Sequence, residues 1–152
     1  MPRHGPDARP GNRVTALAAS TISVGDRVTP LSRRVSQEQI DAYAGASGDH
    51  NPIHVDPEFA RSVGLPGTIA HGLLELGILA EAISTWAGGS ANLRSLSCRF
   101  SKPLQPGDTI ICTGTIVAVD ASAGIATLDV GAASDRGDRV LTNGRATVRL
   151  SR

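Results

Sequence analysis

The chain has 152 residues and a mass of 15.7 kDa, the size of one domain with a core of its own, and 40% of its residues are apolar against 19% charged. That balance excludes a disordered polymer, and no stretch approaches the roughly 18 consecutive apolar residues of a spanning helix. Fifteen Lys and Arg against fourteen Asp and Glu leave a net charge of +1 without any block of like charge, so neither a nucleic-acid partner nor a membrane surface is expected.

Residues 1–20 mix Pro, Gly and Arg without apolar period and read as a loosely ordered lead-in, followed by a domain over 21–152. No apolar stretch with a small-residue cleavage site follows Arg3, Arg9 and Arg13, so a cytoplasmic location is expected. Ile22 to Val35 contains the turn Val24-Gly25-Asp26 and an extended segment that Pro30 keeps at a sheet edge. Ser36 and Gln39 have capping-box spacing ahead of Ile40 and Tyr43, which predicts a helix over 37–46. Gly45 to Pro52 is dense in turn formers. Asp56 as N-cap, Pro57 at the first helical position and Gly64 past the end predict a second short helix.

From His71 to Ala87 the residues Leu73, Leu74, Leu76, Ile78, Leu79, Ala82, Ile83 and Trp86 leave almost no polar face, so a long helix buried on most sides is expected. Beyond Gly88-Gly89 the period changes to two, with β-branched runs at 95–100, 109–119, 125–133 and 140–150 separated by turn-forming stretches. The fold class is therefore α+β, with an antiparallel sheet curled around a central helix.

Three of the four histidines and the densest set of loop-borne polar groups fall together: Asp49, His50, Asn51, His54, Asp56 and His71. His50 and His54 stand four apart, but Pro52 between them argues against a shared helix, and no zinc-protease spacing accompanies them, so no metal is expected. Cys98 and Cys112 are in no metal-ligating spacing and read as reduced, buried thiols. Gly45-Ala46-Ser47-Gly48 is not a nucleophile elbow, and no dinucleotide or P-loop pattern occurs. What remains is an Asp and a His, five apart on a loop stiffened by Asn51-Pro52, a pair suited to acid/base work on water.

The run Tyr43-Ala44-Gly45-Ala46-Ser47-Gly48-Asp49-His50-Asn51-Pro52-Ile53-His54-Val55-Asp56, then Ala60, then Ile69-Ala70-His71-Gly72-Leu73, closely resembles the signature of the MaoC-like family. This is the family of (R)-specific enoyl-CoA hydratases and 3-hydroxyacyl dehydratases, which have a hot-dog fold. The resemblance extends from about Ile22 to Leu150 and includes Arg99 to Asp108. It implies that Asp49 and His54 hold and deprotonate a water that adds syn to a trans-2-enoyl thioester, of coenzyme A or acyl carrier protein, to give a (3R)-3-hydroxyacyl thioester. It also implies that the backbone N–H of Gly72 stabilises the enolate oxygen.

No cofactor is implied. A homodimer is expected and a heterodimer is the alternative, in which this chain, carrying both Asp49 and His54, is the catalytic member.

Asn51 and His71 are read as supporting residues, Asn51 pinning its own loop and His71 capping the helix or contacting substrate, with the structural role favoured. Glu75 interrupts the apolar start of the helix and reads as a solvent-facing or dipole-placed acid rather than a contact in the acyl tunnel. Leu76, Ala80 and Ile83, on one helical stripe, are the candidate acyl wall. A hot-dog thioesterase and a non-catalytic acyl-binding subunit are the alternative functions.

Overall fold

The structure is a computed structural model and describes residues 16–151. Of the expected lead-in, residues 1–15 lie outside the described part. Residues 16–20 differ from the expectation: Ala18 bridges Ser151, the Ser151 N–H donates to the Leu17 carbonyl at 2.8 Å, and Leu17 and Ala19 pack on the core.

Five strands form one antiparallel sheet: β1 (Leu31–Arg34), β2 (Leu93–Phe100), β3 (Thr109–Asp120), β4 (Ile125–Ser134) and β5 (Arg139–Arg149), in the order β1-β3-β4-β5-β2. Period two puts Ile110, Cys112, Ile116, Ala126, Leu128, Ala146 and Val148 on the inner face, all essentially solvent-free. β1 is an edge strand, as Pro30 requires. Four α-helices lie between β1 and β2: α1 (Gln37–Ser47), α2 (Pro52–Val55), α3 (Pro57–Ser62) and α4 (Gly72–Trp86), the last followed by a 3-10 turn at Ser90–Asn92.

The capping box forms at α1: the Gln39 N–H donates to Ser36 Oγ and the Ser36 N–H to Gln39 Oε1. Asp56 caps α3 by accepting from the N–H groups of Glu58 and Phe59.

α4 lies across the inner face of the sheet and buries Ile78, Leu79, Ala82 and Ile83. Gly114 on β3 lets it come close, since a Cβ there would stand 3.4 Å from Ile83 Cδ1 and 2.9 Å from Val28 Cγ2. The expected all-round burial does not hold. Leu73 is 63% exposed and Leu74, Leu76 and Ala80 are half-buried, because one sheet covers one side of the helix. Among the described residues no helix is long and apolar enough to cross a membrane.

Candidate active site

The sequence from Gly48 to Asp56 folds as two short devices. Gly48, at φ 77°, ends α1 in the left-handed region, and its N–H bonds the Ala44 carbonyl. Ser47 Oγ accepts from the Asp49 N–H, and Asp49 Oδ1 accepts from the Asn51 N–H. The chain then enters α2, a single turn with Pro52 at its start, which corrects the expectation that Pro52 keeps this segment non-helical. Proline has no N–H to lose at the first helical position, so it starts the turn rather than breaking it. Asn51 is its N-cap, accepting from the Ile53 N–H at 3.2 Å, which matches its expected loop-pinning part. His54 lies inside this turn and His50 outside it, exposed, so the two do not share a helix face.

The fold brings His54 and Asp49 together. His54 Nε2 stands 4.0 Å from Asp49 Oδ2, and the two side chains are 9% and 53% exposed. That gap is too long for a direct hydrogen bond and suits one bridging water, which would bond both atoms at about 2.8 Å with an angle of about 90° between them. The other ring nitrogen settles the tautomer. Nδ1 lies 2.8 Å from the Ile69 carbonyl, which can only accept, so Nδ1 carries the proton and Nε2 offers its lone pair to the gap.

The backbone of His54 is equally constrained. Its N–H donates to the Asn51 carbonyl, and its carbonyl accepts from Gln37 Nε2 at 2.8 Å. Gln37 Oε1 in turn accepts from Thr68 Oγ1, whose neighbour Ile69 donates its N–H to the Ile53 carbonyl. Gln37 and Thr68 are scaffold residues that sequence reasoning missed. Gln37 stands 17 residues from His54 and carries no local signal.

Gly72 is the first residue of α4, where helical N–H groups have no partner within the helix. Among the described residues no acceptor is bonded to it. A Cβ at Gly72 would stand 2.9 Å from Phe100 Cδ1, so the half-exposed Phe100 ring packs directly on this backbone. Phe100 was missed as well, although it falls inside the Arg99 to Asp108 element.

His71 precedes Gly72 at the N-cap position but makes no side-chain cap, which corrects that part of the expectation. Its ring is 2% exposed, stacks on His54 at 3.8 Å between centroids and 25° between planes, and meets Tyr43 at 4.8 Å. Its Nε2 is 3.0 Å from the Asp49 carbonyl.

Asp49, His54 and His71 each have one donor atom within 4.8 Å of the others. The imidazoles lie face to face, however, so their in-plane lone pairs run side by side instead of converging on an ion. His71 Nε2 and His54 Nδ1 are in addition committed to carbonyls.

Glu75 is not in solvent as expected: it is 3% exposed. Burial pushes its carboxyl up to about 8, against the Leu104 backbone N–H, which favours the charged form. Both cysteines are free, but only Cys112 is buried as expected, Cys98 being partly exposed; burial raises both thiols, Cys112 to about 12, which disfavours the thiolate. The expected acyl stripe is divided: Ile83 is in the core, while Ala80 lines a shallow depression with Gly77, Glu81, Ser84, Thr85 and Ser90.

A catalytic-looking Asp/His pair beside the N-terminus of a helix seated on a five-stranded sheet defines the class. The family model described as MaoC like domain matches residues 19–135, and the chain belongs to that family. It is 45% identical over 67 residues to 3-hydroxyacyl-thioester dehydratase Y of Mycobacterium tuberculosis, covering 42% of this chain and 23% of that protein. It is 29% identical over 137 residues to the (R)-specific enoyl-CoA hydratase of Aeromonas caviae, covering 88% and 99%. A solved (R)-hydratase from A. caviae superimposes with a TM-score of 0.78 at 28% identity, covering 86% of this chain and 98% of that one, so the fold is the hot-dog fold of these hydratases. The match with the mycobacterial dehydratase thus spans less than a quarter of that relative's length.

Proposed function

We propose that the protein is a hydro-lyase that adds water reversibly to trans-2-enoyl thioesters, giving (3R)-3-hydroxyacyl thioesters. The observation that carries this reading is the water-sized gap of 4.0 Å between His54 Nε2 and Asp49 Oδ2, with the His54 tautomer set by the Ile69 carbonyl. The membership in the MaoC-like family supports it.

In the forward direction a water in the gap donates one hydrogen bond to His54 Nε2 and one to the Asp49 carboxylate. Its oxygen attacks C3 of the enoyl thioester as one of its protons passes to the dyad. The C2–C3 π electrons move toward the thioester carbonyl, and the enolate oxygen that forms takes the N–H of Gly72, where the positive end of the α4 dipole adds to the attraction. A proton returns from the dyad to C2 on the same face. Atoms balance without a redox partner, and the two groups exchange protons as a coupled pair.

The carrier is coenzyme A or acyl carrier protein, and of the expected stripe Leu76 and Ala80 are the proposed acyl contacts, Ile83 being buried in the core. The unpaired edge of β2 and the half-covered α4 support a homodimer with a continuous sheet. The cytoplasm is the proposed location.

The test is an assay with crotonyl-CoA and a longer trans-2-enoyl-CoA. Loss of enoyl absorbance without release of free thiol is the expected result. Thiol release without hydration identifies a thioesterase, and binding with neither identifies an acyl-binding subunit; both outcomes overturn the proposal.

A further inference from the structure

We propose that His71 is the positioning residue that holds the Asp49–His54 pair in register with the start of α4. This rests on the hydratase reading above. The three parts of that reading sit on three separate pieces of chain: Asp49 on the loop after α1, His54 in α2 and Gly72 at the head of α4. His71 touches the first two and is covalently joined to the third. Its Nε2 bonds the Asp49 carbonyl at 3.0 Å, its face lies 3.8 Å from that of His54, and its own carbonyl accepts from the N–H groups of Leu74 and Glu75 in the first turn of α4. Tyr43, tilted 55° against the ring, bounds it from α1.

The ring's proton can be assigned. A carbonyl only accepts, so in the neutral imidazole Nε2 must carry the hydrogen. Nδ1 is then a bare lone pair, and it is the buried side-chain atom without a partner among the described residues. The opposite tautomer would set two lone pairs against each other at Asp49 and bury an N–H with no acceptor, which is the costlier arrangement at both sites. Fixing one tautomer fixes which edge of the ring faces Asp49, and the stack bounds one face of the His54 ring. His71 therefore acts through other groups: it places the carbonyl behind Asp49 and the plane of His54 without contacting the reacting atoms.

The test combines two variants with one measurement on the unaltered protein. His71→Phe keeps a flat ring against His54 and loses the donor; His71→Gln can restore a donor near the Nε2 position and loses the ring. The expected result is a fall in kcat of at least about tenfold for His71→Phe with KM within about twofold, because misplacing catalytic groups by a fraction of an ångström affects the transition state more than binding. His71→Gln is expected to recover part of that loss. The solvent isotope effect on kcat should rise in both, since proton transfer becomes the harder step.

In the wild-type protein, nitrogen NMR with labelled histidine should show His71 protonated at Nε2, with a coupling across the hydrogen bond to the Asp49 carbonyl. If the variants do not fold, that spectrum still decides: a proton on Nδ1 overturns the proposal. Folded variants with wild-type kcat, or with the loss confined to KM, overturn it while leaving the hydratase reading intact. A wild-type protein that hydrates no enoyl thioester removes the reading beneath it and this inference together.

Discussion

Two regions of the molecule are held by different forces. From Leu93 to Leu150 the chain is four strands, a β3-β4-β5 meander with β2 crossing over to pair with β5, which satisfy each other's backbone groups and whose alternate side chains meet α4 in a dry layer. From Ser36 to Gly72 it is a set of short helices and loops with few buried apolar side chains, tied by side chains that reach backbone groups: Ser36, Gln37, Ser47, Asn51, His54, Asp56 and His71. In the sheet the order is repeated along the ladder, each strand held by many equivalent backbone bonds. The loop region has no repetition, so each tie fixes one particular angle. Placing acid/base groups at fixed separations calls for the second kind of order, supported on the rigidity of the first.

This contrast can be broken from either side. Leu128→Ala in the sheet core is expected to cost about 2–5 kcal/mol of stability through lost burial and a residual cavity. In the still-folded fraction it should leave kcat nearly unchanged, as read by denaturant unfolding beside the hydration assay.

On the other side, His54→Ala and Asp49→Asn should each lower kcat at least about 10²-fold, roughly 2.7 kcal/mol of barrier, with unfolding midpoints little altered. Near wild-type hydration by either folded variant would count against the mechanism.

Glu75 joins the two regions and sharpens the comparison through pH. Its folded-state carboxyl lies near 8 against 4.5 for the free group, so it stays protonated in the fold while the unfolded chain ionises. Below pH 4.5 both states hold the proton and nothing is lost. Stability then falls as pH rises toward 8, and the full penalty stands above it. Glu75→Gln should therefore be neutral at pH 4 and stabilising by on the order of 2 kcal/mol at pH 9, checked by thermal unfolding at the two pH values. A gain of equal size at both would mean that packing, not ionisation, is responsible.

The smallest effect is expected at Gln37. Gln37→Ala removes the bonds to the His54 carbonyl and to Thr68. It should cost about 1 kcal/mol of stability and a few-fold in kcat, together, since the same side chain serves both. Measuring both in one preparation tests that coupling.

What could be read from the sequence follows the same division. Period two marked four strands within a residue or two of their ends, because alternation is a local property of a ladder with one buried face. Ser36 with Gln39, and Asp56 with Pro57, announced their helices because capping is also local. The Asp49 to His54 loop was legible as a motif. The ties that give it shape were not: Gln37 to His54, His54 to Ile69 and His71 to Asp49 span 15 to 22 residues, and no spacing rule encodes them. Glu75 misled for a related reason. An acid in the first turn of a helix is favourable for the helix alone, and only the tertiary fold reveals that this turn is covered. The helical turn at Pro52 was missed because proline was weighed as a breaker when its position made it a starter.

His54 is fastened at its backbone N–H, its carbonyl and its Nδ1, with one ring face against His71. A side chain with so few remaining rotational states surrenders little further freedom as bonds rearrange around it, because the ordering was completed when the chain folded. The barrier it helps to lower should then be mostly enthalpic. An Eyring plot of kcat for the wild-type protein should give an activation entropy near zero, and loosening any one fastening should make that entropy more negative before it visibly disturbs the fold.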